Sequence, residues 1–381
     1  MSTEFACDHA STLVKLEMDG GRTPIGMRLT EWRVRRGVTT TALATRAGLS
    51  EQLISDVESG GDWVDQHHVL SSIAVGLRLD PTELTGQPYV PYGADHATVH
   101  AIAWHARRHL ARVCSGARSS AQAHAEQLAM LVEALRVADD GGDLVSVALK
   151  VRRLLEVAGP PPVGQGDDDV AVARAVAYAS VAQLLRRIGY RDLAWSVLGQ
   201  ARPPAEARAQ VLGEEVRLLL DMGQAGLAVT RAAGVGVAPP VEVLLPLALA
   251  HASLGHAATS ERLLDAAQDV AVGLEGQSAV ASARAFAAAE RGAYDQVLDH
   301  AAAAVRLPAG DRVGMLVLTA SARARLGRFD EAVTDLASAE SVAPLHTRLE
   351  PLARELVSVL SVRADDRANV TGGIAARFGM T

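Results

Sequence analysis

The sequence is poor in the residues that build disulfide frameworks, aromatic cores and lysine-rich surfaces. Its 381 residues include two cysteines, Cys7 and Cys114, which cannot form a disulfide framework or a zinc site and which fit a reducing compartment. Aromatic residues make up 3% of the chain, and lysine occurs only as Lys15 and Lys150. Alanine is abundant instead, and this composition favours closely packed helices.

Long apolar runs and a secretion signal are missing as well. The chain has no apolar run of about 18 residues, which predicts no membrane span, and its N-terminus lacks a basic segment followed by an apolar one. We therefore expect a cytoplasmic protein. The net charge of −7 argues against a general polyanion binder, so any contact with nucleic acid requires a local basic patch.

The motifs of common catalytic and cofactor sites are also missing, namely a phosphate-binding loop, a nucleophile elbow and H-E-x-x-H. The pairs His96/His100 and His105/His109 have the i,i+4 spacing of metal ligands. Nine residues separate the two pairs, which predicts opposite faces of one helix, and no third ligand follows at a matching spacing. We expect neither enzyme activity nor a cofactor nor a metal site.

The chain is too long for one ordinary domain, and breaks in helical periodicity divide it. No strand-like alternation of useful length occurs, which predicts an all-α fold. The predicted segments are a flexible arm (1–24), a helical module (25–86), a proline-containing linker (87–94), a helical array (95–363) and a C-terminal tail (364–381).

The module at 25–86 contains two short helices joined by a glycine turn. Thr39 and Ser50 are predicted N-caps, Gly48 lies in the turn between the two helices, and Gly37 and Gly60 mark helix ends. Two short helices joined in this way form a helix-turn-helix unit, whose second helix enters the major groove of DNA.

Residues at characteristic spacings connect this module with a known family. These residues are Ala44, Gly48, Ser50, Ile54, Ser55, Glu58 and Gly60, followed by Leu70, Ile73, Ala74, Leu77, Asp80 and Leu84. On them the module resembles, over about 60 residues, the XRE, or lambda-repressor-like, DNA-binding domains, which implies a five-helix fold.

The resemblance also implies roles for individual residues in DNA binding. Gln52 and Ser55 would face base edges, since an amide can bind adenine through two hydrogen bonds. The other predicted DNA-binding residues offer hydroxyl groups, backbone N–H groups or positive charge near the phosphates. They are Arg28, Arg33, Arg36, Thr39, Thr40, Thr41, Arg46, Ser50 and Glu51.

The charge of the module is divided unevenly between its two halves. Met27 to Gly48 contains five arginines and one acid, whereas Leu49 to Gly86 contains one arginine and seven acids, including Asp56 on the second helix of the unit. Acidic residues near DNA reduce affinity for phosphates. The acids either solvate a face that points away from DNA, or indicate weak binding, binding as a dimer, or contacts with protein.

The remainder of the chain carries turn glycines at a nearly constant period. Gly189, Gly223, Gly255, Gly292 and Gly327 are separated by 34, 32, 37 and 35 residues, a period that is typical of tetratricopeptide repeats. The array resembles such repeats over roughly residues 143–345. Five positions after each glycine stands Ala194, Ala228, Ser260, Val297 or Ala332, small residues with Val297 as the exception.

Stacked helical hairpins form a superhelix whose inner surface is lined by the first helix of each pair. The predicted groove could capture an anionic group of a peptide or protein through arginine side chains, although solvated helix surface is the alternative. The predicted groove residues are Gln183, Arg186, Arg187, Arg217, Asp221, Phe286 and Arg325.

Together these features predict an all-α protein with a five-helix helix-turn-helix domain followed by a tetratricopeptide-like α-solenoid. The combination resembles repeat-containing XRE regulators of actinobacteria. It implies a homodimeric transcriptional regulator that binds double-stranded DNA and whose repeats dimerise or sense a peptide, small molecule or protein. The alternative is a protein-interaction scaffold whose helix-turn-helix no longer binds DNA.

Overall fold

The computed structural model describes residues 22–116, 124–159, 168–234, 239–364 and 368–380. These residues form helices joined by turns and loops and contain no β-strand. The predicted all-α fold, with an N-terminal helix-turn-helix domain and a C-terminal helical-repeat region, is confirmed. Residues 1–21 of the predicted arm (1–24) lie outside the described residues.

Five helices form the N-terminal domain around a small apolar core that includes Leu29, Leu43, Ile54 and Ile73, all fully buried. The helices are α1 (Pro24–Arg35), α2 (Thr40–Ala47), α3 (Glu51–Ser59), α4 (His67–Leu77) and α5 (Pro81–Thr85).

The repeat region consists of paired antiparallel helices preceded by the long helix α6. Its helices are α6 (Ala94–Cys114), α7 (Ala125–Asp140), α8 (Leu144–Ala158), α9 (Asp168–Arg187), α10 (Arg191–Leu198), α11 (Arg208–Asp221), α12 (Ala225–Ala232), α13 (Val241–Ser253), α14 (Ala257–Val270), α15 (Gly273–Glu290), α16 (Tyr294–Ala303), α17 (Ala309–Arg325), α18 (Phe329–Val342), α19 (Pro344–Leu349), α20 (Pro351–Arg363) and α21 (Ala368–Arg377).

The five turn glycines predicted from the sequence lie at the turns of consecutive hairpins, α9–α10 to α17–α18. Each has a positive φ, between 69° for Gly292 and 89° for Gly189, a conformation that glycine adopts without steric cost. The residues five positions later, including Val297, are fully buried where the helices cross. The hairpin periodicity read from the sequence is therefore confirmed.

The two ends of the array meet. Helix α17 packs against α7, and a side chain added at Gly142 would collide with Ala309 and Ala343. Arg187 of α9 pairs with Asp311 of α17 at 2.7 Å. Contacts between its first and last hairpins close the array on itself, so its inner face is not an open groove along its whole length.

Two predicted segments, the C-terminal tail and the linker, pack against the array. The predicted C-terminal tail contains α21, which packs on α18 and α20 and is followed by the buried Phe378; its apolar residues at helical spacing bury against the array. The predicted linker lacks helix from 87 to 93. The side-chain amide of Gln87 donates a 3.0 Å hydrogen bond to the carbonyl of Leu349, and Tyr89 is buried. The linker therefore fastens the two domains together.

None of the helices in the described ranges combines the length and the apolar character that a membrane crossing requires.

Candidate nucleic-acid interface

Local hydrogen bonds fix the geometry of the helix-turn-helix unit. The Thr39 hydroxyl accepts from the Ala42 amide at 3.1 Å and begins α2. Gly48 ends this helix with φ at 66°, and the Ser50 hydroxyl accepts from the Leu53 amide at 3.1 Å to begin α3. Because side-chain caps satisfy amides that the first helical turn leaves free, these three residues determine where both helices start and stop.

Helix α3 has an apolar inner face and a polar outer face. Ile54 and Val57 are fully buried, whereas Glu51, Gln52 and Ser55 are exposed. The structure thus brings the three predicted α3 residues together on one accessible face. A short helix with this polarity has the form that a major groove accommodates.

Two hydrogen bonds occupy polar groups on this face. Gln52 donates from Nε2 to Asp56 Oδ1 at 2.7 Å, and the Thr41 hydroxyl donates to Glu51 Oε1 at 2.8 Å. The first bond lies between residues one helical turn apart and is exposed. A base edge could therefore replace Asp56 as the partner of Gln52 at small cost.

The predicted phosphate-contacting residues are not all equally placed. Arg36 and Arg46 are exposed, as are Thr39, Thr41 and Ser50, whereas Thr40 is half-buried. Arg33 donates to both carboxylate oxygens of Glu58, at 2.6 and 2.9 Å. Arg28 lies against Gly86 at the end of α5. Arg36 and Arg46 are thus the predicted arginines that are both exposed and without a carboxylate partner within the described ranges.

The acidic half of the domain contacts the repeat array. Arg325, at the end of α17, donates to both carboxylate oxygens of Asp65 at 2.9 Å and to the carbonyl of Trp63 at 2.6 Å, and also pairs with Asp62. Its guanidinium carbon lies 3.8 Å from the centre of the Trp63 ring. Burial alone would lower the pKa of Arg325, but Asp65 and Asp62 raise it above its ordinary value.

Trp63 is the apolar centre of this contact. It is 3% exposed and belongs to the core of the last hairpins rather than to that of its own domain. Its Nε1 donates to Ser321 Oγ at 3.1 Å. The guanidinium carbon of Arg363 lies 5.2 Å from the centre of the same ring. A buried aromatic with cationic neighbours is typical of a well-packed interface.

Carboxylates of the array also cap two helices of the N-terminal domain. Glu290 of α15 accepts from the amides of His67 and His68 at the start of α4, at 2.5 and 2.9 Å. Glu355 of α20 accepts from the amide of Ile25 at the start of α1, at 2.7 Å. Since helix N-termini attract negative charge, these contacts fix the orientation of the domain on the array.

The titration of these two carboxylates differs because their partners differ. Burial would raise the pKa of Glu290, but hydrogen bonds and charge from His68 and His67 lower it overall. Glu355 is completely buried, its Oε2 has no hydrogen-bond partner among the described residues, and burial raises its pKa to about 7.

The predicted groove residues do not form an open cationic groove. Arg186 pairs with Glu214 at 2.6 Å and with Asp221 at 2.9 Å, and Arg187 pairs with Asp139 and Asp311. Arg217 lies 3.9 Å from Glu214, Gln183 is half-buried and Phe286 is 37% exposed. Arg325 pairs with Asp62 and Asp65 of the N-terminal domain, so five of the seven predicted groove residues take part in ion pairs within the chain.

The histidine pairs of α6 have protein partners. His96 and His100 lie 3.1 Å apart through their Nε2 atoms, His100 also lies 2.9 Å from the Tyr190 hydroxyl, and His109 lies 3.0 Å from the Tyr178 hydroxyl. Burial lowers the pKa of His96 and of His109 to about 4. The described residues contain no group of three or more His, Cys, Asp or Glu side chains placed to hold a metal ion.

Reasoning from the sequence missed Trp63, Glu290 and Glu355 as contact residues. The excess of acids between Leu49 and Gly86 was a usable signal, because it indicated a basic or amide-rich partner. That partner is the array of the same chain. Glu290 and Glu355 themselves carry no local signal, since they stand at ordinary positions of helices α15 and α20.

A five-helix module with a capped helix-turn-helix, docked on an array of helical hairpins, defines the class of protein. The family model described as a helix-turn-helix domain matches residues 24–85, which include all five helices of the module.

Part of this chain is also similar to a protein of known structure. A solved structure described as a tetratricopeptide repeat protein from Parabacteroides merdae ATCC 43184 is 15% identical, has a TM-score of 0.35, and is matched over 67% of this chain and 98% of that chain. The comparison with curated proteins finds no match.

Proposed function

We propose that this protein is a DNA-binding transcriptional regulator in which α3 reads an operator sequence. The observation that carries the proposal is the division of the N-terminal domain into two sides. Asp62, Asp65 and the starts of α1 and α4 contact the array, whereas Gln52 and Ser55 on α3 remain exposed. Docking leaves the predicted DNA face accessible.

The array supports this function by holding the domain in one orientation. A single recognition helix contacts too few base pairs for useful specificity, so we propose a homodimer that binds two half-sites. In such a dimer, the contacts of Arg325, Glu290 and Glu355 would fix the spacing between half-sites. The array would also receive a peptide, small molecule or protein partner that changes DNA affinity.

The proposal includes a non-enzymatic, cytoplasmic role. A regulator of this kind acts by differential binding of DNA and partner, and it needs no catalytic group. The two cysteines fit a reducing compartment.

Replacement of Gln52 by alanine tests the reading of bases. We expect a loss of about 1–3 kcal/mol of binding free energy at one base position, because a bidentate contact to adenine is removed. Binding to single-base variants of a selected duplex would measure it. Gln127→Ala, an exposed glutamine on α7, is the matched control and should leave every position unchanged. Equal loss at all positions would contradict a base-reading role.

The second candidate function is a protein-interaction scaffold without DNA binding. The hydrogen bond between Gln52 and Asp56 favours it, since it places a carboxylate beside the residue proposed to read bases. Under this alternative, full-length protein would bind no duplex in preference to competitor, even at low salt.

A further inference from the structure

A stripe of exposed side chains runs along the C-terminal half of α6. Trp104, Arg107, Arg108 and Arg112 follow at spacings of three, one and four residues and therefore share one face of the helix. All four are exposed, and Trp104 is exposed to 55%. The guanidinium of Arg108 lies 5.4 Å from the centre of the Trp104 ring.

The positive charge of this stripe is not neutralised. Arg107, Arg108 and Arg112 form no ion pair with any carboxylate in the described parts of the chain. The neighbouring helix α8 adds Arg152 and Arg153, which share the single carboxylate of Glu156. A chain with a net charge of −7 thus concentrates positive charge on one surface, which we call the α6–α8 basic surface.

Nearby histidines lie within the same positive field. Burial is the largest cause that lowers the pKa of His105 and of His109. The charge of Arg152 lowers the pKa of His105 further, and the charge of Arg112 does the same for His109. The histidines therefore remain uncharged near neutral pH, and arginine supplies the charge of the α6–α8 basic surface.

A chain of short contacts connects this surface with the basic half of the N-terminal domain. Arg36 donates to the carbonyl of Arg78 at 3.4 Å, and Asp80, two residues later, lies 3.6 Å from Arg191. Tyr190, beside Arg191, has the guanidinium of Arg107 at 5.1 Å from its ring centre. Arg36, which follows α1, and Arg107 of α6 are thus connected through Arg78, Asp80, Arg191 and Tyr190.

We propose that the α6–α8 basic surface binds the phosphate backbone of DNA that flanks the site read by α3. The proposal rests on the proposed function and extends it from the N-terminal domain to the array. Duplex DNA presents a phosphate about every 3.4 Å along each strand, so DNA leaving the domain offers evenly spaced anions to a stripe about 12 Å long. Arginine binds phosphate through paired N–H groups.

The test compares the triple variant Arg107→Gln, Arg108→Gln, Arg112→Gln with a control of equal charge change. The control is Arg208→Gln, Arg262→Gln, Arg312→Gln, three exposed arginines on α11, α14 and α17 that form no ion pair with a described carboxylate. The probes are a duplex selected by the wild-type protein from a random library, with ten added base pairs on each side, and the same duplex trimmed to its core. Anisotropy is measured at several salt concentrations.

For the long duplex, we expect the triple variant to bind more weakly than wild type. Its affinity should also fall less steeply with salt, so that the negative slope of log K against log salt is smaller in magnitude by about one to three, which corresponds to one to three phosphate contacts. The trimmed duplex and the control variant should show no such change. Equal salt slopes for the two triple variants on the long duplex would overturn the proposal, and so would an equal loss on the trimmed duplex.

Failure of the proposed function gives a different result. If the wild-type protein selects no duplex, both proposals fail. If it selects one and Gln52→Ala weakens binding while the α6 variant matches its control, DNA reading stands and the α6–α8 basic surface has no part in it. Circular dichroism melting of both triple variants checks that each is folded.

Discussion

Replacement of Arg325 by methionine is expected to lower the free energy of unfolding by about 3–5 kcal/mol, the cost of removing one partner from a buried ion pair. The variant would leave Asp65, whose side chain is 3% exposed, without its cation. It would also remove the donor to the Trp63 carbonyl and the cation over the Trp63 ring. Methionine retains most of the aliphatic volume, so the loss measures charge and hydrogen bonding.

Urea unfolding followed by tryptophan fluorescence would measure this effect, because Trp63 lies at the contact between the domains. Arg262→Met is the control, since Arg262 is exposed and donates to Thr259 alone among the described residues. We also expect limited proteolysis to cleave the 87–93 segment faster in Arg325→Met. Equal stability of the two variants would refute the view that Arg325 fastens the domains.

Replacement of Glu355 by glutamine is expected to stabilise the protein above neutral pH. Burial raises the pKa of Glu355 from 4.5 to about 7, so the folded state retains a proton that the unfolded state has lost between these values. Stability therefore falls as pH rises through this range, by about 1.4 kcal/mol per pH unit. Glutamine still accepts from the Ile25 amide and carries no charge, so it removes this fall.

The expected gain for Glu355→Gln is near zero at pH 4.5 and on the order of 3 kcal/mol at pH 8. Unfolding measured in parallel for variant and wild type from pH 4.5 to 8 would show it as a widening difference, independent of other titrating groups. Glu126→Gln, at an exposed position, should show no such trend. A constant difference would mean that Glu355 is ionised in the folded state at all these pH values.

Local signals made much of the fold predictable. Thr39 and Ser50 cap helix starts, and Gly48 ends a helix. Each acts on backbone groups no more than four residues away, so the positions of α2 and α3 were predictable from the sequence. The turn glycines act in the same way, since a positive φ at Gly189 or Gly223 is a property of a single turn. The resemblance to the XRE domains implied that Gln52 and Ser55 face outward on α3, and both are exposed in the structure.

Contacts between segments distant in sequence were not predictable in the same way. Arg325 and Asp65 are 260 residues apart, and no periodicity relates them. Arg325 was interpreted as a ligand-binding residue because it stands just before a turn glycine, which is also where the N-terminal domain docks. The helix after residue 367 was missed because two glycines, Gly372 and Gly373, lie within it.

These contacts change the meaning of the acidic half of the N-terminal domain. Asp62 and Asp65 bind Arg325, Glu58 binds Arg33, and the side chain of Asp80 caps α5. These four of the seven acids between Leu49 and Gly86 therefore have partners within the fold, and their charge does not by itself oppose DNA binding on the α3 side. Glu51 and Asp56 accept hydrogen bonds from Thr41 and Gln52 on that side.

Fluorescence anisotropy of the full-length protein tests the central claim most directly. The probe is labelled DNA from upstream of its own gene, titrated at several salt concentrations with unrelated duplex as competitor. The account predicts saturable binding that resists the competitor and weakens steeply as salt rises. Absence of binding even at low salt, for this duplex and for a random-sequence library, would contradict it and identify the exposed face of α3 as a surface with another purpose.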